Sequence, residues 1–324
     1  MKAIEIENAG PQSSLVVRDI AEPTLVAGEV LVRVAAAGVN RADLLQRAGK
    51  YPPPPGASAL LGLEVSGVVE RTAPDVTSIG VGDEVCALLA GGGYAELVTV
   101  PAVQVFRRPT SVSLGDAAAI PEAFITAYAN LVGEGRLAAG ELVLIHGGAS
   151  GVGTAAIQVA HALGARVACT VGDDTKIDRC RALGAELVIN YKKGDFAAEI
   201  ARWSPSGVSL ILDIIGREYF ERNISVLAPR GRLVCIATMS GAKAELDIAA
   251  LMRKRLSVIG SVLRGRSIAE KGELVTEFSE RILPLFESGA VAPIVDSVFP
   301  FDKVEEAHTL MRQSTHVGKI LLAW

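Results

Sequence analysis

The residues best spaced for chemistry lie in Gly148-Ala-Ser-Gly-Val-Gly153. The spacing G-x-G-x-x-G suits a backbone that must turn tightly and approach a pyrophosphate closely. Gly148 and Gly153 fill the outer places, and Ser150 takes the middle one. The serine restricts the approach, but it brings a hydroxyl beside the expected phosphate or ribose. It can equally cap a helix beginning at Gly151, and both roles can hold together. Leu142–Ile145 ahead of the turn reads as a short buried strand, and Thr154–Leu163 after it reads as a helix. A helix start offers unpaired N–H groups and a positive dipole end to an anion. Strand, glycine turn and helix together point to a dinucleotide site.

Dinucleotide folds that prefer NAD hold the ribose with a carboxylate at the end of the second strand, whereas NADP versions use neutral or basic groups there. Here the second strand ends Cys169-Thr-Val-Gly-Asp-Asp-Thr-Lys176. The strand-end place is Val171 or Gly172, without an acid. Lys176 and Tyr191 could meet an extra phosphate, while Asp173 and Asp174 next door would repel one. NADP is favoured over NAD, and the neighbouring acids weaken that preference. Lys176 also fits an exposed place in a first helical turn, and Tyr191 a loop anchor.

A second constellation is Gly38-Val-Asn-Arg-Ala-Asp43 followed by Gly49-Lys-Tyr51 and the run Pro52–Pro55. Consecutive prolines preset an extended backbone. Such a loop could hold Tyr51 as a hydrogen-bond donor. Asn40 sits where it could cap a short helix, Arg41–Arg47. Residue types alone leave Asn40 a cap and Tyr51 a packing residue.

The elements that must position these groups fall into two patterns. Residues 1–120 read as mainly β, with strands near 2–7, 15–20, 29–37, 64–70, 84–89 and 95–100 broken by Gly, Pro and Asp. This half predicts an irregular β-barrel. From 121 to 264 strands and helices alternate, which predicts a parallel, doubly wound sheet. The tail, 265–324, predicts one long helix over 270–286, a strand near Val298, a helix over 304–311 and a last strand over 319–323. It is expected to return to the first domain, leaving the nucleotide domain inserted.

Of the 324 residues, half are apolar, enough for a sizeable core, and the formal net charge is −4. No basic stripe suggests nucleic acid. No apolar run reaches the length of a bilayer crossing, and the N-terminus lacks a signal-peptide core. A cytoplasmic location is the expectation. The cysteines, Cys86, Cys169, Cys180 and Cys235, form no C-x-x-C pair and read as indifferent thiols.

The chain resembles the zinc-independent quinone oxidoreductases of the medium-chain dehydrogenase/reductase superfamily. The matching stretches are Ala37–Tyr51, Leu61–Gly67, Ala119–Tyr128, Gly148–Gly153, Leu183–Ala185, Ile189–Lys192 and Val317–Ile320, spread over nearly the whole chain. Asn40-Arg-Ala-Asp-Leu44, the Tyr-Pro loop and Pro121-Glu-Ala123 are similar to the tumour-suppressor-inducible branch in particular. The resemblance implies a GroES-like barrel, an NADPH-binding Rossmann domain, a cleft between them and a homodimer. It implies that Asn40 and Tyr51 face nicotinamide and quinone. Gly148, Thr126, Ser150, Gly151 and Val152 would hold ribose and pyrophosphate. Gly172, Lys176 and Tyr191 would surround the 2′-phosphate. Val262 and Leu263 would lie near the nicotinamide, with Gly318 and Lys319 closing the site.

Zinc alcohol dehydrogenases of the wider superfamily carry a Cys where Asn40 or Arg41 falls and Gly-His-Glu where this chain has Gly62-Leu63-Glu64. A catalytic zinc is therefore not expected. The implied chemistry is hydride transfer from the nicotinamide to a quinone, with Tyr51 and Asn40 donating to the developing oxyanion. No obligate acid is required, since water can protonate a hydroquinone anion. The alternatives are an enone or alkene reductase on the same fold and a low-turnover NADPH-binding protein.

Overall fold

The computed structural model describes residues 1–324. Fifteen strands form three sheets. The chain divides into two compact units, Met1–Ile125 with Leu263–Trp324, and Thr126–Val262.

The first unit contains β1 (Lys2–Glu7), β2 (Ser14–Asp19), β3 (Glu29–Val39), β4 (Glu64–Thr72), β5 (Glu84–Leu88), β6 (Leu97–Pro101) and β7 (Val105–Arg107). Its helix α1 (Arg41–Arg47) follows β3, and α2 (Pro121–Tyr128) begins in it and runs into the second unit. β1 and β2 make a two-stranded antiparallel sheet. The rest pair around β3, which at eleven residues is about twice the ordinary strand length. One edge of β3 pairs with β4. Its other edge is shared: β6 takes Glu29–Arg33, and a C-terminal strand takes Ala36–Val39. Eight of the eleven β3 residues are buried, and Arg33 is exposed. This branching modifies the barrel expectation. The outermost strands do not pair with each other, so no closed barrel forms.

The second unit is a six-stranded sheet of β8 (Leu142–Ile145), β9 (Arg166–Val171), β10 (Ala185–Asn190), β11 (Val208–Asp213), β12 (Leu227–Cys235) and β13 (Ser257–Gly260). All neighbours are parallel, in the order β10-β9-β8-β11-β12-β13. Helices α3 (Gly151–Ala162), α4 (Ile177–Ala182), α5 (Phe196–Trp203), α6 (Arg217–Val226) and α7 (Ile248–Lys254) alternate with the strands. This is the doubly wound order, and it reverses at β8, where such sheets bind ligands. All but one residue of each of β8, β9 and β11 is buried, so their runs lack the alternation of a half-exposed strand.

The tail supplies α8 (Ile268–Arg281), α9 (Leu283–Glu287), β14 (Val295–Pro300), α10 (Val304–Gln313) and β15 (Lys319–Ala323). β15 pairs antiparallel with β3. The single helix expected over 270–286 is two helices. Pro284, which has no N–H and crowds the residue before it, falls in the first turn of α9, and the chain bends at Ile282. Ser267 caps α8 in a reciprocal box with Glu270. All four cysteines are free thiols.

Candidate functional site

In the second unit the glycine turn joins β8 to α3 at the carboxyl end of the parallel sheet. Gly148 donates its N–H to Thr170 O of β9 at 2.9 Å. A Cβ on Gly148 would lie 2.6 Å from Cys169 Sγ, and one on Gly153 would lie 2.2 Å from Gly147 O. These contacts explain glycine at both outer places. Ser150 is the N-cap of α3, its Oγ accepting from Gly153 N at 3.0 Å. Gly151 and Val152 form the half-buried first turn. The hydroxyl read as phosphate-facing is thus also a cap.

Beside this turn, at the end of β9, Gly172, Asp173, Asp174, Asn190, Lys192 and Lys193 line a cavity of about 200 Å³. The Tyr191 hydroxyl would stand 2.6 Å from a Cβ on Gly172, so a side chain there would have to push the exposed tyrosine aside. Tyr191 is 43% exposed, its ring edge-on to Tyr219. Lys176 is half-buried in a short 3-10 turn. The two acids that weighed against a phosphate are both engaged. Asp173 accepts from Thr175 N at 2.9 Å and Thr175 Oγ1 at 2.8 Å. Asp174 accepts from Asn190 Nδ2 at 2.6 Å and pairs with Lys193. These bonds hold both carboxyls below their usual range. Lys192 and Lys193, adjacent basic residues just past β10, were missing from the sequence-based set. Their signal was the Lys-Lys pair itself.

Thr126 is buried in α2, its carbonyl taken by Asn130 Nδ2 at 2.8 Å. Val262, just beyond β13, is 56% exposed. It lies three strand positions from β8, about 14 Å at the usual spacing. Apart from Thr126, the sequence-predicted residues of this unit follow the carboxyl ends of β8, β9, β10 and β13.

In the first unit, Asn40, Glu64, Glu122 and Lys319 converge. Lys319 is buried in β15, and its ammonium donates to Asn40 Oδ1 at 2.7 Å and to Val39 O at 3.0 Å. It pairs with Glu64 Oε1 at 2.5 Å. Three oxygens take the three ammonium protons, so Lys319 is an internal cation of this unit. Asn40 Nδ2 donates to Glu64 Oε1 at 2.9 Å and to Gly38 O at 3.3 Å. The amide expected to reach a substrate oxygen is turned inward. Asn40 is still the N-cap of α1, as expected, and Asp43 reaches back from the third helical position to accept its N–H at 2.7 Å. Burial pushes the Asp43 carboxyl up to about 6, against the pull of these backbone donors. Gly318, at φ +89°, passes against Ile294 O, where a Cβ would sit at 2.2 Å.

Tyr51 is half-buried beside the proline loop. The Arg264 guanidinium lies 5.1 Å from its ring centre. Arg264 is fixed by Ala90 O at 2.9 Å and Gln46 Oε1 at 2.6 Å. Burial raises the phenol above its usual range, with the Glu122 charge adding and Arg264 opposing. Tyr51 is therefore a neutral O–H donor at neutral pH. Leu263, beside Arg264, is buried. Arg264 and Glu122 were not assigned from sequence, although one follows Val262-Leu263 and the other stands in Pro121-Glu-Ala123.

Two family descriptions match the chain: an alcohol dehydrogenase GroES-like domain over residues 26–110 and a zinc-binding dehydrogenase over 151–280. The human synaptic vesicle membrane protein VAT-1 homolog is 33% identical over 319 residues, covering 94% of this chain and 81% of that protein. The chain belongs to the medium-chain dehydrogenase/reductase superfamily. Its zebrafish (Danio rerio) VAT-1 relative is 31% identical, and the chain spans only 65% of that protein's length. Human quinone oxidoreductase is 29% identical, with 99% of this chain and 97% of that one covered. Among solved structures, Escherichia coli quinone oxidoreductase complexed with NADPH superposes with a TM-score of 0.88 at 29% identity, both chains covered in full. The CurK enoyl reductase superposes at 0.87 and 28% identity, covering 99% of this chain and 98% of that one.

The GroES-like description fits the branched sheet around β3, and the Rossmann-like unit is the six-stranded sheet. The zinc in the second description finds no matching donor set here. No group of three or more His, Cys, Asp or Glu side chains is arranged to hold a metal ion. The buried Glu64 carboxylate already faces a cation, the Lys319 ammonium.

Proposed function

We propose that this superfamily member is an NADPH-dependent quinone reductase that works without a catalytic zinc. The observation that carries the reading is the filled cation place in the first unit. Lys319, Glu64 and Asn40 satisfy one another. Polarising a substrate carbonyl then falls to Tyr51, with Arg264 behind its ring. A phenol is a far weaker electrophile than a metal ion, so the site suits an acceptor that needs little activation. Quinones are such acceptors, whereas alcohol oxidation calls for a stabilised alkoxide.

Bound NADPH would supply the hydride. The Gly148–Gly153 turn and the α3 N-terminus would hold its pyrophosphate, with Ser150, Gly151 and Val152 closest. Gly172, Lys176, Tyr191, Lys192 and Lys193 would surround the 2′-phosphate. Thr126 would meet the ribose, Val262 and Leu263 would lie near the nicotinamide, and Gly318 would close the site. NADPH in the E. coli quinone oxidoreductase structure supports the cofactor, and the two quinone oxidoreductase relatives support the substrate class. The CurK likeness favours a second reading, reduction of an activated carbon–carbon double bond.

The deciding experiment follows oxidation of NADPH and of NADH with an ortho-quinone, a para-quinone and a simple enone. NADPH with a quinone should be fastest, and activity with neither quinone overturns the reading. Tyr51→Phe should lower kcat roughly fivefold, the worth of about one hydrogen bond, while NADPH affinity stays unchanged. Complete loss would mean that Tyr51 does more than donate one bond.

A homodimer in the cytoplasm belongs to the same proposal. β13 is an edge strand with Val258 40% exposed, and Ile248 and Met252 of α7 are 64% and 70% exposed. Such an edge invites pairing with a second copy. Sedimentation equilibrium should give twice the chain mass, and Val258→Lys should shift the protein to monomer.

A further inference from the structure

NADPH and NADH differ by one phosphate, and the cavity at the end of β9 already holds an anion among its donors. The two acids that line it are used differently. Asp173 turns back on its own chain. Its Oδ1 accepts both Thr175 N and Thr175 Oγ1 and caps the short turn Asp174–Lys176. Asp174 reaches across to the segment leaving β10. Its Oδ1 accepts from Asn190 Nδ2 at 2.6 Å, and its Oδ2 pairs with the Lys193 ammonium.

The Asn190 amide has one orientation. Its Oδ1 accepts Lys192 N at 3.0 Å, which leaves Nδ2 as the donor to Asp174. Asn190 O accepts Lys193 N at 3.0 Å and Gly194 N at 3.1 Å. The turn that carries both lysines is thus held by its own backbone, and Asp174 is not needed to shape it. Ammonium and amide N–H groups are the donors that a phosphate monoester takes. Such a group carries nearly two negative charges at neutral pH and three acceptor oxygens. Asp174 offers two oxygens and one negative charge to the same pair. The bonds from Asn190 and Lys193 hold its carboxyl below the usual range, so it is ionised at neutral pH.

We propose that Asp174 is a specificity-determining residue, an internal anion that competes with the cofactor 2′-phosphate for Lys193 and Asn190 and so keeps the preference for NADPH over NADH small. This rests on the NADPH-dependent reading. NADH carries only a hydroxyl at that place and leaves the Asp174 pairs closed. NADPH must open them or lie beside a like charge, and either cost falls on NADPH alone. Gly172, Lys176, Tyr191 and Lys192 would still receive the phosphate, which keeps the balance on the NADPH side.

The test is fluorescence titration of native protein and Asp174→Asn with NADPH and with NADH. Asparagine keeps the shape of the side chain and loses its charge. The Lys193 and Asp174 side chains are 70% and 48% exposed, so their pairing adds little to stability and the variant should fold. Its Kd for NADPH should fall about tenfold, while its Kd for NADH stays within about twofold. An unchanged or higher Kd for NADPH overturns the proposal, since Asp174 would then be idle or would position the lysine for the phosphate. An equal fall for NADH overturns it too. A second variant separates competition from repulsion at a distance. In a Lys193→Met background there is no ammonium to release, so Asp174→Asn should tighten NADPH by no more than about twofold. The undiminished gain in that background also overturns the proposal. Inactivity with every quinone would overturn the proposed activity alone, because these titrations contain no quinone. Binding of neither nucleotide would overturn the cofactor reading, and this inference with it.

Discussion

Gly153→Ala should abolish useful dinucleotide binding, raising the Kd for NADPH at least about 100-fold. A Cβ at 153 would sit 2.2 Å from Gly147 O and 2.8 Å from both Gly148 Cα and Gly148 C. All three are backbone atoms of the same turn, so no flexible side chain can yield. The turn must open, and the N–H groups that would face the pyrophosphate move with it. The Ser150 cap breaks too, because its Oγ holds the Gly153 N–H. The measurement is fluorescence titration with NADPH, with circular dichroism confirming the sheet. Gly133→Ala is the matched control. Gly133 lies in the same unit, and a Cβ there meets nothing within 4 Å. Equal affinities for the two variants would show that the turn is not the anion site.

That turn was legible in sequence because its physics is local. A strand, a glycine at each place where a side chain would collide, and a helix start occupy twelve consecutive residues. The parallel sheet was legible for the same reason, since each strand is a short apolar run followed by its own helix. The branched sheet was harder to read. Nothing in the Glu29–Val39 segment announces that one edge serves both β6 and β15, because those partners are far away in the chain. The break between α8 and α9 had a written signal, Pro284, which the amphipathic pattern of the tail masked.

The candidate site shows the same division. Asn40 and Tyr51 were put forward through resemblance, which said nothing of their surroundings. Residue type says that an asparagine can donate to a substrate. Only the fold shows that Glu64 and Gly38 already hold its two donors and that Lys319 occupies its acceptor. Glu122 is the reverse case. As a sequence letter it is an ordinary acid in a first helical turn. Burial and the neighbouring Glu64 carboxylate, 58 residues away in the chain, push its carboxyl up to about 8.

Removing the Glu64 carboxylate should be the most destabilising change in the first unit. Glu64 is fully buried, and Gly38 is glycine to admit it, since a Cβ there would lie 2.2 Å from Glu64 Oε1. Its two oxygens receive Lys319 Nζ, Asn40 Nδ2 and Glu122 N. Glu64→Leu keeps roughly the volume but strands a buried ammonium and two further donors. Breaking such a pair from one side costs about 3–5 kcal/mol. Lys319→Met should also destabilise, since it leaves the carboxylate with neutral donors only. The double variant Glu64→Leu with Lys319→Met should recover most of the loss, because a buried ion pair can often be exchanged for apolar packing at little cost. Unfolding in urea can be read in this unit alone. The chain has two tryptophans, and Trp324 packs in the first unit on Phe301, its indole N–H bound to Ala95 O at 3.0 Å. In a Trp203→Phe background, Trp324 fluorescence follows the first unit without the second. A loss below about 1 kcal/mol for Glu64→Leu would mean that water reaches the ammonium. Lys319 would then lose its place as the internal cation on which the zinc-independent reading depends.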